Sequence, residues 1–448
     1  MRRMNPLNMR ELLADWDKRG LLHHVKKEVS PEYELGAVVR AMKGEQPVLF
    51  ENVQGYSVPM AAGLGGSRKF MADSIGVDET ELIPKMVDAI VNPLPTKLVP
   101  TGPVHENVVL PPFDLDDFFP IPTFHAEDCG AYYVSGVLVV KDPEGKKRYT
   151  SIRRMKFIGG NKTNIVITSP ELNRQFAHFE ERGEPMEIAV MFGVVPAVVL
   201  ASQVSTHLFH ADKLDVSGAL LGQPLDVVQC KTVDIEVLAE AEIVLEGKIL
   251  PHERDPEGAF GELGGYYGEN EPQPIVEMTA ITYRNNPISQ TIFPSSSEER
   301  LPMCLVREMT LLSTVRQTVE NVKAVHVTMA AAARLHAIIQ IDKQTEGDAK
   351  QAAMAAFASD KDLKHVVVVD TDVDIFNPED VEWAIATRCQ ADLDVFIIPG
   401  TKGSPLESSH NLRGVSAKMG IDATYPLSEK EMFRRTSVPV EIDLNDYL

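Results

Sequence analysis

The chain has 448 residues, with 44 Lys and Arg against 65 Asp and Glu, and the net charge of −21 argues against nucleic acid or an anionic membrane surface as a partner. An apolar fraction of 44% fits sizeable folded cores, the length suggests roughly three domains, and no run of about 18 apolar residues marks a membrane span. The N-terminus Met1-Arg2-Arg3-Met4-Asn5 lacks the apolar stretch of a secretion signal, so a cytoplasmic location is expected, and the scattered Cys129, Cys230, Cys304 and Cys389 read as buried free thiols.

Residues 1–113 read as an α/β unit. Asn8 with Glu11 forms a capping-box signature for a first helix that stops near Gly20. A second helix is predicted from Ser30 as cap and Pro31 in its first turn to Gly44, with Leu35, Val38, Val39 and Met42 on one face. Pro47 to Phe50 reads as a short buried strand, and 67–90 as helical with a break at Gly76. The stretch 92–112 carries six prolines and reads as an extended connector. In residues 114–300 strands are predicted at 133–140, 156–158, 164–167, 188–193, 197–200, 242–246 and 276–283, with a helix near 170–182. Short strands at close spacing point to a barrel-like sheet. Residues 301–448 alternate again, with a helix at 303–319, a buried strand at 365–370, and a helix opened by Asn377 and Pro378 with acidic residues at its positive end.

One polar run, Arg148-Tyr149-Thr150-Ser151-Ile152-Arg153-Arg154, and one glycine-broken acidic run, Pro256-Glu257-Gly258-Ala259-Phe260-Gly261-Glu262, stand out. Taken alone, the two glutamates read as a solvated acidic loop. With Phe119-Pro120-Ile121-Pro122, Gly193-Val194-Val195-Pro196-Ala197, Gly218-Ala219-Leu220-Leu221-Gly222, Glu242-Ile243-Val244-Leu245-Glu246-Gly247, Thr282-Tyr283-Arg284-Asn285-Asn286 and Trp383-Ala384-Ile385-Ala386-Thr387-Arg388, they form an ordered set over most of the chain. This set resembles the UbiD family of decarboxylases, which use prenylated flavin mononucleotide. The resemblance implies an α+β fold with an N-terminal α/β domain (1–113), a central flavin-binding split β-barrel (114–300), and a linker helix with a C-terminal α/β domain (301–448).

The resemblance carries the family's catalytic arginine onto Arg154 and its catalytic glutamates onto Glu257 and Glu262. The residue types suit the chemistry. A guanidinium orients a carboxylate through paired hydrogen bonds. Once carbon dioxide has left, a carbon must be protonated by a nearby carboxylic acid. Carboxyls in different surroundings can divide such roles, one beside the arginine and one in a drier place. Glu262 is expected as proton donor and Glu257 as the partner of Arg154. Alternation along a strand sends Arg153 and Arg154 to opposite faces. The reaction implied is reversible decarboxylation of an aromatic, heteroaromatic or α,β-unsaturated carboxylic acid. The alternative is a non-catalytic or redox FMN-binding paralogue.

By the same carry-over, Tyr149, Ser151, Ile152, Arg153, Arg154, Glu171, Ser202, Gln203, Val204, Lys213 and Lys418 would line the flavin and its phosphate. The family's divalent metal (manganese, with potassium) is held by Asn, His and Glu. Here Tyr149, Glu171 or Leu172, and Lys213 occupy those positions. An ammonium is no metal ligand, so Lys213 is expected to meet the phosphate directly. His207 and His210 with Asp212 read either as a second metal-ligand set or as a solvent-exposed loop. Arg300 and Arg307 are expected to anchor a second anionic group of the substrate. The resemblance further implies a flavin prenyltransferase as cofactor supplier and a homodimer or higher homo-oligomer.

Overall fold

The computed structural model describes all residues except 1–5, 206–210, 405–406, 410–413, 441, 444–446 and 448. It divides into two compact units, one of residues 1–309 with 329–333, the other of 310–328 with 334–448.

The first unit is built on a curled antiparallel sheet. Its strands run in the order Tyr132–Tyr133, Met155–Gly159, Lys162–Asn164, Glu271–Tyr283, Ile243–Glu257, Met186–Phe192, Val137–Lys141 and Arg148–Ile152, with Asn107–Val109 pairing onto Glu271–Tyr283. The last strand of this path and the second are separated in sequence only by Arg153 and Arg154. A sheet whose far strands are joined so tightly has to bend back on itself, and both arginines fall at the seam. One face of the half-barrel is filled by Leu138, Val140, Ile188, Val190, Leu245, Val276 and Met278. Beside it a four-stranded sheet orders His23–Val25, Val48–Phe50, Met60–Ala62 and Ser289–Gln290, and a three-stranded one orders Glu236–Leu238, Asp226–Gln229 and Lys97–Leu98.

The first helix, Met9–Lys18, starts as the sequence predicts: the Asn8 side chain accepts from the Glu11 amide at 2.9 Å. The second is shorter than expected, Glu34–Ala41, because Tyr33 takes a positive φ of 65° and becomes the cap in place of Ser30. Gly44, at φ +62°, closes it as predicted. The proline-rich 92–112 stretch is not a bare connector, since Lys97–Leu98 and Asn107–Val109 are both paired strands. Residues 197–200, predicted as a strand, lie in the helix Pro196–Ser202, all of it buried. A short apolar run does not distinguish a strand from a buried helix, and Pro196 presets the first helical φ.

The second unit is a five-stranded sheet in the order Val322–Val327, His336–Ile341, His365–Asp370, Val415–Ala423 and Val395–Lys402. Its core includes Ile338, Val367, Val369, Val373 and Ala384. Helix Pro378–Arg388 begins at Asn377, whose side chain accepts from the Glu379 amide at 3.1 Å. Among the described residues no helix is long and apolar enough to cross a membrane. Of the cysteines, Cys230 and Cys304 are buried as expected, while Cys129 is exposed and Cys389 half-buried.

Candidate active site

The fifteen-residue strand Ile243–Glu257 ends at Glu257, whose register partner is Glu271. The chain then turns at Gly258, where φ is +120° and an added Cβ would lie 2.5 Å from the Glu269 carbonyl oxygen. Only glycine fits there. Beyond it a small loop folds back, with the Gly268 amide donating to Phe260 O at 2.9 Å and the Glu262 amide to Tyr266 O at 2.8 Å. The glycines in the acidic run thus serve to present Glu257 and Glu262 from a reversing chain.

Both glutamates converge on Arg154. Its Nη2 donates to Glu257 Oε2 at 3.0 Å and its Nη1 to Glu262 Oε1 at 2.5 Å. Its Nε lies 3.0 Å from Glu257 Oε1 but lacks the alignment for a hydrogen bond. The guanidinium sits over the Phe260 ring, 4.4 Å from its centroid. Burial works against the charge of Arg154, but Glu262 and Glu257 outweigh it and hold the guanidinium above its ordinary value. The expected trio is therefore assembled, with one difference in environment. Glu257, 1% exposed, is the drier glutamate, while Glu262 is 21% exposed, and both pair with the arginine.

Glu262 opens onto a cavity of about 390 Å³ lined also by Arg40, Lys43, His125, Tyr266, Tyr267, Phe293, Ser295 and Arg300. Arg300 Nη2 donates to Leu263 O at 2.8 Å, and burial depresses its guanidinium below the ordinary value. Its buried Nε has no hydrogen-bond partner among the described residues. Arg307 is not among the residues lining this cavity. His125 Nδ1 lies 3.3 Å from Asp128 Oδ2, and the Gly261 amide donates to Asp128 Oδ1 at 2.9 Å. Burial opposes ionisation of Asp128, but His125 and these backbone donors prevail and hold it below the usual carboxylate range.

A second cavity, of about 210 Å³, is lined by Tyr149, Ser151, Ile152, Arg153, Glu171, Ser202, Gln203, Val204 and Lys213, together with Ser169 and Pro170. The sequence-predicted flavin residues of the first unit, Arg154 apart, thus share one cavity. Lys213, the first residue of helix Lys213–Leu221, donates to Ser202 O at 2.7 Å and lies 5.2 Å from the Tyr149 ring centroid. Burial and the charge of Arg153 bring its ammonium down to about 8, against the pull of Glu171 and Asp212. The Tyr149 hydroxyl is taken up by Ser169 Oγ (2.8 Å) and Arg153 Nη2 (3.2 Å). Two further polar atoms, Ser151 Oγ and Arg153 Nε, are buried without a hydrogen-bond partner among the described residues. A cationic, donor-rich cavity of this kind fits a phosphate-bearing cofactor. It does not suit the family's metal, because beside Glu171 it offers an ammonium, Lys213, with no lone pair for an ion, and a phenol, Tyr149, whose proton is given to Ser169. His207 and His210 lie outside the described residues.

Lys418 belongs to the second unit, where it is 4% exposed and donates to the carbonyls of Lys361 (3.0 Å) and Leu363 (2.5 Å). Sequence reasoning missed Arg40, Lys43, His125, Asp128, Cys129 and Tyr132. None sits in a motif, and they meet the acidic loop only through the fold.

With this geometry in view, the chain belongs to the UbiD family of carboxy-lyases. Residues 13–90, 97–297 and 301–423 match the N-terminal, Rift-related and C-terminal domains of 3-octaprenyl-4-hydroxybenzoate carboxy-lyase. Among solved structures, the UbiD-class enzyme HmfF from Pelotomaculum thermopropionicum in complex with FMN is 46% identical, with a TM-score of 0.96 over 98% of this chain and 100% of that one. An evolved dimeric form of the same enzyme, in complex with prFMN, is 44% identical, with a TM-score of 0.92 over 99% of this chain and 100% of that one. The anhydromevalonate phosphate decarboxylase of Methanothermobacter thermautotrophicus is 36% identical over 92% of this chain and 96% of its own length. The gallate decarboxylase of Lactiplantibacillus plantarum is 30% identical over 97% of this chain and 99% of its own.

Proposed function

We propose that this chain catalyses the reversible, non-oxidative decarboxylation of an aromatic, heteroaromatic or α,β-unsaturated carboxylic acid with prenylated FMN as cofactor. The observation that carries the reading is the convergence of Glu257 and Glu262 on the Arg154 guanidinium. Prenylated FMN supplies, when bound, the electron sink that a departing carboxylate requires. Tyr149, Ser151, Ile152, Arg153, Ser202, Gln203, Val204 and Lys213 would hold it, with Lys213 meeting the phosphate in place of a metal.

Arg154 orients the substrate carboxylate. Its Nη1 is occupied by Glu262 in this structure, and a protonated Glu262 has no charge to keep it there. Glu262 therefore carries the proton in the form that admits substrate, then delivers it to the carbon that has lost carbon dioxide. Glu257 stays on Nη2 and keeps the guanidinium in place. Arg300, Arg40 and Lys43, which line the same cavity, favour a substrate with a second anionic group. The relatives' names support a carboxylic acid substrate, and the dimeric neighbour supports a homo-oligomer.

The test is co-expression with a flavin prenyltransferase, followed by mass and absorbance of the bound cofactor and by carbon dioxide release from a panel of acids with and without a second anionic group. Bound ordinary FMN with redox turnover and no carbon dioxide would replace this reading with a redox flavoprotein. Stoichiometric manganese in the holoenzyme would remove the assignment of Lys213 to the phosphate.

A further inference from the structure

Glu257 does not rest on Arg154 alone. Its Oε1, the oxygen that Arg154 Nε approaches without alignment, accepts a hydrogen bond at 3.0 Å from the hydroxyl of Tyr132. Tyr132 is fully buried, and its ring packs on Phe260 at 4.6 Å between centroids. Phe260 is the ring beneath the Arg154 guanidinium. The strand Tyr132–Tyr133 pairs with Met155–Gly159, which begins at the residue after Arg154, so phenol and guanidinium are set by adjoining strands.

The phenol is itself held. Cys129 Sγ lies 3.1 Å from the Tyr132 hydroxyl, and the Gly258 amide donates to the same sulfur at 3.3 Å. The Cys129 amide donates to Ala259 O at 3.0 Å. Burial, with Cys129 and Glu257 adding to it, pushes the phenol far above its ordinary value, so it stays protonated and donates. With the Tyr132 proton given to Glu257, the thiol proton is the one left for the phenol oxygen. The bonds then close a ring: Gly258 N–H to Cys129 Sγ, Cys129 S–H to Tyr132 Oη, Tyr132 O–H to Glu257 Oε1, and Glu257 back to Gly258 through the chain.

We propose that Tyr132 is a positioning residue for the decarboxylation, fixing the carboxylate plane of Glu257 and through it the orientation of the Arg154 guanidinium, with Cys129 as the group that holds the phenol. Tyr132 touches neither substrate nor cofactor in this role. It acts on how Arg154 presents its nitrogens, which matters in the reaction and little in overall affinity. The inference rests on the decarboxylase reading of the same site.

Tyr132→Phe keeps the ring on Phe260 and removes only the hydroxyl. The expected result is a kcat lower by about tenfold or more, with KM within about twofold and flavin loading unchanged. A kcat within about twofold of wild type overturns the proposal, as does an equal change in KM and loading that marks general loosening. Cys129→Ser, which keeps a donor and an acceptor, should stay near wild type, while Cys129→Ala falls towards Tyr132→Phe. A second readout needs no substrate. Iodoacetamide labelling of Cys129 in cofactor-free protein, followed by peptide mass spectrometry, should be faster in Tyr132→Phe than in wild type. Unchanged labelling breaks the ring whatever the activity shows. Labelling that speeds up in Tyr132→Phe while wild type releases no carbon dioxide would preserve the ring and overturn both the decarboxylase reading and the role in decarboxylation.

Discussion

Replacing Lys213 by Met separates the roles of its charge in the empty and filled protein. The ammonium is 7% exposed, and burial with the charge of Arg153 lowers it from 10.5 to about 8. That displacement corresponds to about 3 kcal/mol against the charged form. The sign follows from linkage. Below about 8 both folded and unfolded chains hold the proton, and the penalty is fully present. Between about 8 and 10.5 only the unfolded chain still holds it, so stability rises with pH through that window. Methionine removes the penalty and also the charge-assisted bond to Ser202 O, worth about 1.5–3 kcal/mol. Cofactor-free Lys213→Met should therefore be no less stable than wild type at pH 7, and more stable by up to about 1.5 kcal/mol.

Binding should move the other way. A charge-assisted contact to a phosphate dianion is worth about 1.5–3 kcal/mol, so FMN should bind the variant about ten- to hundredfold more weakly. In wild type the affinity should decline as pH rises through about 8, while the variant stays flat. FMN fluorescence titrations from pH 7 to about 9.5 in chelator-containing buffer, with urea unfolding alongside, measure both. A variant that binds FMN as tightly as wild type with the same pH slope would refute the assignment.

Glu262→Gln should lower kcat by about 10²–10⁴-fold with flavin loading unchanged, and turnover that survives the change would remove Glu262 as proton donor. Arg300→Gln should raise KM by about tenfold for acids carrying a second anionic group and leave singly charged acids unaffected, so an equal effect on both classes refutes the anchor. Gly261→Ala places a Cβ 2.4 Å from His125 Nδ1 and should displace His125, or Glu262 one residue on, so kcat falls, and unchanged kinetics would show that the loop yields freely. Burial outweighs three backbone donors and raises the Glu298 carboxyl to about 7. The folded state then holds a proton that the unfolded one has lost between 4.5 and about 7, so this group withdraws about 3 kcal/mol of stability as pH rises through that range. Glu298→Gln should flatten that slope in urea unfolding at pH 5 and 8, and an unaltered slope refutes it.

What could be read in the sequence was whatever local chemistry or an ordered motif set carries. Asn8, Pro170, Asn377 and Pro378 mark helix starts because caps act within one turn, and the structure has helices beginning at each. Arg153 lines the smaller cavity while Arg154 meets the glutamates, but the two lie between strands rather than within one, so alternation along a strand does not account for their separation. Ser30 failed as a cap because its hydroxyl accepts from the Glu32 amide and the chain pairs with Thr123 before the helix starts after Tyr33. Residues 197–200 failed because four apolar residues carry no period. Arg40 and Lys43 could not have been placed at the site. They enter the Glu262 cavity from more than two hundred residues upstream, and nothing local distinguishes them from surface charges.

The division of labour between the glutamates rests on a different footing from the one the sequence suggested. Dryness was to mark the proton donor, yet Glu257 is the enclosed residue, tied to Arg154 Nη2 and to the Tyr132 hydroxyl. A proton donor has to reach the carbon it serves. Glu262 lines the cavity and Glu257 does not. Among the described residues Glu262 is held by a single side-chain partner, on one guanidinium nitrogen, whereas Glu257 is engaged through both oxygens. The residue with one releasable contact and an open side can cycle between charged and neutral, and the residue fixed on both oxygens can hold the arginine still while it does. Reach and freedom, rather than dryness, therefore favour Glu262 as donor, which makes the kinetic contrast between Glu262→Gln and Tyr132→Phe informative: the first removes the proton, the second only the alignment.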